Sequence, residues 1–272
     1  MFEKRMSPRR VAAIVLRQYY LMRGSPARVP ALFIWVAIDI VLWGFITRWL
    51  NSVATAGFNF VPALLGAVLL WDFFVRVMHG VTMAFFEDVW TRNFLNLFAS
   101  PLTIAEYLAG LVFTSAATSM VGLAFMLALA MGVFGLHFFA YGVAVLPFML
   151  VLFLFGIAMG IAGSAIVLRL GPAAEWFIWP IPAIVSPFAG VFYPLSTLPA
   201  WMRWLARLLP PSYVFEGLRA IVKGGTIRPA ALAWGAVLAV VYVLAACWVF
   251  TRIYRHAVRS GLIARYSAES LS

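Results

Sequence analysis

The sequence predicts an all-α integral membrane protein with six transmembrane helices. Three observations carry that expectation. The 272-residue chain is 65% hydrophobic and 11% charged, against about 25% charged residues in a soluble domain. Its apolar runs reach the ~20 residues that one helical crossing needs. No alternating ten-residue strands occur, which argues against a β-barrel. Around the crossings the sequence predicts an N-terminal amphipathic interface helix, a surface helix after the second crossing and a re-entrant helical hairpin before the last.

Residues 1–29 carry Lys4, Arg5, Arg9, Arg10, Arg17, Arg23 and Arg28. Val11, Ile14, Val15 and Leu21, with Tyr19 and Tyr20, give an apolar side, as in a basic helix lying on a membrane leaflet. Gly24-Ser25-Pro26 breaks it. The transmembrane domain is expected over residues 30–254, with crossings at 30–50 and 60–84.

Residues 85–100, FFEDVWTRNFLNLFAS, read as a short two-sided helix. Phe86, Val89, Trp90, Leu97 and Phe98 share one face; Asp88, Thr91, Arg92 and Asn96 share the other. Glu87 and Asp88 stand where a helix N-terminus favours negative charge. Asp88 and Arg92 are an i,i+4 pair with the acid first. Ser100-Pro101 stops the helix. Thr103 and Glu106 then have the form of a capping box. The stretch is expected at a membrane surface, with its polar face free for a partner.

The third crossing follows Thr103 and ends near Gly135. The fourth, 141–168, holds Gly156 and Gly160 in a G-x-x-x-G, expected to pack within one subunit. The fifth, 173–193, contains Pro180, Pro182 and Pro187 and is expected to be kinked or broken. The hairpin is placed at 194–228. Its first helix sets Trp201 and Trp204 opposite Arg203 and Arg207. After Pro210-Pro211, Ser212 is expected to cap a second helix carrying Glu216 and Arg219, ended by Gly224-Gly225. The last crossing is 230–250, followed by a cytoplasmic tail at 255–272.

Six crossings put both termini on one side, and the basic residues at both ends make that side cytoplasmic. Arg203, Arg207, Arg219, Lys223 and Arg228 then fall outside, against the charge rule. The net charge of +11 is explained by anionic headgroups rather than nucleic acid. One cysteine, Cys247, allows no intrachain disulfide.

No P-loop motif occurs, and no H-E-x-x-H, C-x-x-C or G-x-S-x-G. His79, His137 and His256 are far apart, so no metal site is expected. The chain is therefore expected to be no enzyme and to bind no cofactor. Its notable polar set lies inside the crossings: Asp39 in the first, and Asp72, Arg76 and His79 at i, i+4 and i+7 in the second. Intramembrane charges by default point to function. A proton relay is one reading. The preferred one is a neutralised pair, Asp72–Arg76 or Asp39–Arg76, that fixes helix packing.

Several motifs follow in order: Ser100-Pro101 with Glu106, Phe192-Tyr193-Pro194 with Leu198-Pro199, Leu209-Pro210, and Glu216-Gly217-Leu218-Arg219. On these the chain resembles the ABC-2 type transporter permeases over most of residues 85–220. The resemblance implies six membrane helices and re-entrant helices before the last. It implies that residues 85–100 are the coupling helix, with Glu87, Asp88, Thr91, Arg92 and Asn96 touching an ATPase subunit. It also implies a working unit of two permeases and two ATPases in the bacterial inner membrane, with ATP and Mg bound by the partner.

The expected function is export of a glycolipid or polysaccharide, membrane lipid being a further contact. A drug or lipid exporter is the near alternative. A membrane-embedded transferase acting on a lipid-linked substrate is the competing class, with Asp72, Arg76 and His79 as its only acid–base candidates.

Overall fold

A computed structural model describes residues 6–24, 28–53, 61–91, 93, 96–97, 100–226 and 228–261, with no strand among them. Among the described residues nine α-helices are delimited in order: α1 Pro8–Gly24, α2 Arg28–Val53, α3 Gly66–Trp90, α4 Ile104–Phe134, α5 Val145–Leu170, α6 Ile181–Ala189, α7 Ala200–Ala206, α8 Pro210–Val222 and α9 Pro229–Arg259. A π-helical turn, Val61–Leu65, leads into α3. Among the described residues five stretches are long and apolar enough to cross a membrane: Phe33–Val53, Val61–Trp90, Ile104–Phe134, Tyr141–Leu170 and Pro229–Arg259.

Local chemistry fixes the ends of α4. The Thr103 side chain accepts from the Glu106 backbone N–H, and the Glu106 carboxylate accepts from the Thr103 N–H, so the predicted capping box is present. At the other end Gly135 takes φ 67°. Its N–H donates to Met131 and that of Leu136 to Ala130, a Schellman closure that only a left-handed residue permits.

Small residues set the spacing of the bundle. A Cβ at Gly160 would lie 2.7 Å from the Met78 carbonyl oxygen, and one at Gly156 would lie 2.9 Å from Val77. α5 thus approaches the backbone of α3 directly, and the G-x-x-x-G serves packing within one chain. The two sequences advance together, so α3 and α5 are parallel. α9 runs parallel to α5, with Tyr242 edge-on to Phe155 and His256 near Arg169.

The C-terminal ends of α3, α5 and α9 therefore share one end of the bundle with the N-terminus of α4. We call it the α1 end, because α1 lies there. The far end carries α7 and α8. Gly217 of α8 packs on Phe148 near the start of α5, and Tyr213 packs on Gly235 near the start of α9.

The expected fifth crossing is not one long helix. Residues after Leu170 form a 3-10 segment, Pro172–Phe177, and then the nine-residue α6. Nine residues rise about 14 Å, half of a ~30 Å hydrocarbon core. Pro180, Pro182 and Pro187 account for the break, since each lacks an N–H. The segment still travels between the ends. Ile178 packs on Gly163 of α5, and Phe192 stacks on Trp43 of α2 at 4.8 Å.

Two further boundaries differ from expectation. α9 continues to Arg259, so the first residues assigned to a tail are helical. α8 begins at Pro210, with Leu209 as its cap residue; the Ser212 hydroxyl donates back to the Leu209 carbonyl at 2.8 Å instead of capping. Proline suits the first turn because its missing N–H is not needed there.

Candidate functional site

The stretch expected as a surface helix, 85–100, begins inside α3. α3 runs through Phe85 and ends at Trp90, with Phe85, Phe86 and Asp88 buried. Thr91 closes it: its N–H and its hydroxyl both donate to the Glu87 carbonyl. Beyond it, Asn96 and Leu97 are helical among the described residues of the link. Asn96 donates to the Asn93 side chain, and the Ser100 hydroxyl donates to Leu97. Thr91, Asn96 and Ser100 are exposed, Glu87 is half-buried, and Arg92 lies outside the described residues.

The reason for the buried Asp88 is α1. This helix lies across the start of α4 and the end of α3. Its first turn meets Glu106: the Ser7 N–H donates to the carboxylate at 2.7 Å and the Arg10 guanidinium at 3.4 Å. Ser7 also accepts the first backbone bonds of α1. Two helix N-termini, those of α1 and α4, therefore converge on one fully buried carboxylate. Both macrodipoles favour negative charge there.

One turn on, Ile14 sits against Gly110, where a Cβ would come within 2.5 Å of it. Next, the Gln18 amide donates to the Ala84 carbonyl at 3.2 Å. Arg17 forms an ion pair with Asp88, and the buried Tyr107 hydroxyl donates to the same carboxylate at 2.7 Å. Asp88 is thus a buried acid facing α1, where an exposed position was expected.

The same geometry corrects the apolar side of α1. Val11, Ile14 and Gln18 are buried, while Tyr19 and Tyr20 are exposed. Arg10, Ile14 and Arg17 stand at i, i+4 and i+7. That placement of two arginines with a buried isoleucine was the available signal for an inward charged face, and the opposite, aromatic side obscured it.

Inside the bundle the polar residues fan out. Asp72 feels both the negative charge of Asp39 on α2 and the positive charge of Arg76. The Arg76 guanidinium lies over Gly122 of α4, which has room for it only because it lacks a Cβ. His79 instead packs its ring on Trp179 at 4.9 Å. Asp39 is exposed on α2.

At the far end the motif pieces meet. Glu216 accepts from the Leu195 N–H and from Arg219, both at 2.9 Å. Arg219 reaches Gly190, which holds φ 68°. The Tyr193 hydroxyl donates to Pro187 at 2.9 Å. Trp201 and Trp204 are exposed, with Arg207 over the Trp204 ring. Among the described residues no group of acids, histidines and cysteines could hold a metal ion.

The arrangement provides one firmly tied end, a polar link exposed beside it, and a tryptophan-bearing far end. A family model described as ABC-2 type transporter matches residues 11–222. No curated protein matches the chain.

Proposed function

Because the chain belongs to the ABC-2 type transporter family, we propose that it is an export permease that couples through the tied end. Membership makes it an integral membrane protein and the transmembrane subunit of an ABC transporter, a family whose membrane subunits lack an ATPase site and pair with an ATPase subunit. Two copies would form the pore of a bacterial inner-membrane exporter, with two ATPases at the α1 end. That end would be cytoplasmic, holding both termini. The broken segment 172–190 would be the sixth crossing, and α7 with α8 a re-entrant hairpin in the outer leaflet. The substrate class is a glycolipid or polysaccharide; the support is the exposed tryptophans, Trp201 and Trp204, at the exit side.

The observation that carries this reading is Glu106. It joins α1, α4 and the link from α3 into one body. A push on the exposed link then moves two spans together rather than bending a loop. Glu87, Thr91 and Asn96, with Arg92, are the proposed ATPase contacts; Asp88 supports them from beneath. Thr91→Ala/Asn96→Ala permease is expected to reach the membrane normally and to lose ATPase co-purification or substrate-stimulated hydrolysis. Full assembly and coupled transport in this variant and in Glu87→Ala would remove the assignment.

A second reading has one observation in its favour. Asp72 in the second span has the carboxylate of Asp39 as well as the guanidinium of Arg76 near it. An excess acid there favours a cationic amphiphile, as in a drug exporter. Asp39→Asn would abolish export of such a substrate and spare a neutral glycolipid.

A further inference from the structure

We propose that the cleft between the ends of α5 and α9 binds the phosphate of an anionic phospholipid. The cleft has a volume of about 260 Å³ and is lined by Arg169, Arg252, Ile253, His256 and Ala257. Two helices supply its charge. Arg169 stands in the last turn of α5; Arg252 and His256 stand i,i+4 on α9 and share a face. No acid lines it. The next acid along the chain from Arg169, Glu175, accepts instead from the Trp179 indole. Arginine suits a phosphate because its planar fork of donors matches the oxygens.

The apolar surroundings select a lipid over a soluble anion. Ile253 and Ala257 form part of the lining. Just along the surface, Leu170, Trp248 and Val249 are exposed apolar side chains that an acyl chain can follow. The Arg252 guanidinium lies 5.2 Å from the Trp248 ring centroid. It thus spans from apolar belt to headgroup level, as long cationic side chains do at membrane surfaces. Basic clefts between transmembrane helices are established binding places for anionic headgroups. α9, which supplies Arg252 and His256, lies beyond the matched region, while Arg169 of α5 lies within it.

The test uses the full chain in nanodiscs of mixed phosphatidylglycerol and phosphatidylcholine, with retained lipid counted by native mass spectrometry. Wild type retains phosphatidylglycerol selectively. R169Q and R252Q each lower that retention about fivefold, the factor equivalent to ~1 kcal/mol per basic side chain. R255Q/R259Q, which removes two basic residues of α9 outside the cleft, leaves it unchanged. R169K/R252K keeps the charges and retains most of the lipid, which separates loss of the site from loss of the fold. Equal losses in R255Q/R259Q would mean a general surface field and overturn the site. So would equal retention of phosphatidylcholine, displacement of the lipid by inorganic phosphate, or a Lys variant as depleted as the Gln variant.

Discussion

The two ends of the bundle are held by opposite means. At the α1 end three elements are joined through fully buried acids, Asp88 and Glu106, each with a partner almost a hundred or some seventy residues away in sequence. At the far end the acid is Glu216, its arginine is three residues on, and its side chain is 44% exposed. Breaking a buried pair from one side costs about 3–5 kcal/mol, because it strands the other charge. An exposed pair contributes about 0–1 kcal/mol. The α1 end is thus built to move as one piece, and the far end to rearrange cheaply. In a transporter this fits force received at one end and passage granted at the other.

The largest effect is expected at Asp88. Asp88→Ala leaves Arg17 facing a cavity beside Tyr107 and should destabilise the fold by about 3–5 kcal/mol. Thermal unfolding in detergent reads it. Arg17→Met/Asp88→Leu, which removes both charges, should regain most of the loss. If Asp88→Ala melts like wild type, the tied end is no firmer than the other.

Glu106→Ala comes next. It removes a helix cap, worth about 0.5–2 kcal/mol, together with the dock for Ser7 and Arg10. α1 should then detach at its first turn while α4 survives. A spin label at position 7, paired with one at the exposed position 113 of α4, should show a broadened distance distribution. A distribution as narrow as wild type would mean that Ile14 and Arg17 alone hold α1.

The smallest stability change is expected at Glu216→Gln: less than about 1 kcal/mol, given its exposure. A loss as large as that of Asp88→Ala would erase the contrast between the ends. Retained stability with altered export would sharpen it.

Much of this was legible beforehand because it is local. The capping box at Thr103 and Glu106 and the glycine packing of α5 follow from neighbours in sequence. The proline break before Tyr193 was expected too, though not its depth: three prolines leave only nine helical residues in α6. Asp88 was misread because periodicity shows which residues share a face, not what covers it. The i,i+4 partner Arg92 offered a local explanation, whereas the buried partner is Arg17. Ser212 was misread as a cap for a related reason: a general capping preference was set above the two prolines that already start the helix.

The shared carboxylate also orders events at the ribosome. Ser7 and Arg10 emerge 99 and 96 residues ahead of the glutamate that receives them. At about 5–20 residues per second that is an interval of roughly 5–20 s. Until Asp88 emerges, 71 residues after Arg17, neither Arg10 nor Arg17 has its acidic partner. A nascent basic helix in that position has the membrane surface as its waiting place, and anionic lipid as its provisional counter-charge. The final pairings to Asp88 and Glu106 then compete with whatever anionic lipid these arginines have met. The acidity of the leaflet becomes a variable in how fast the subunit matures, separate from how stable it is once assembled.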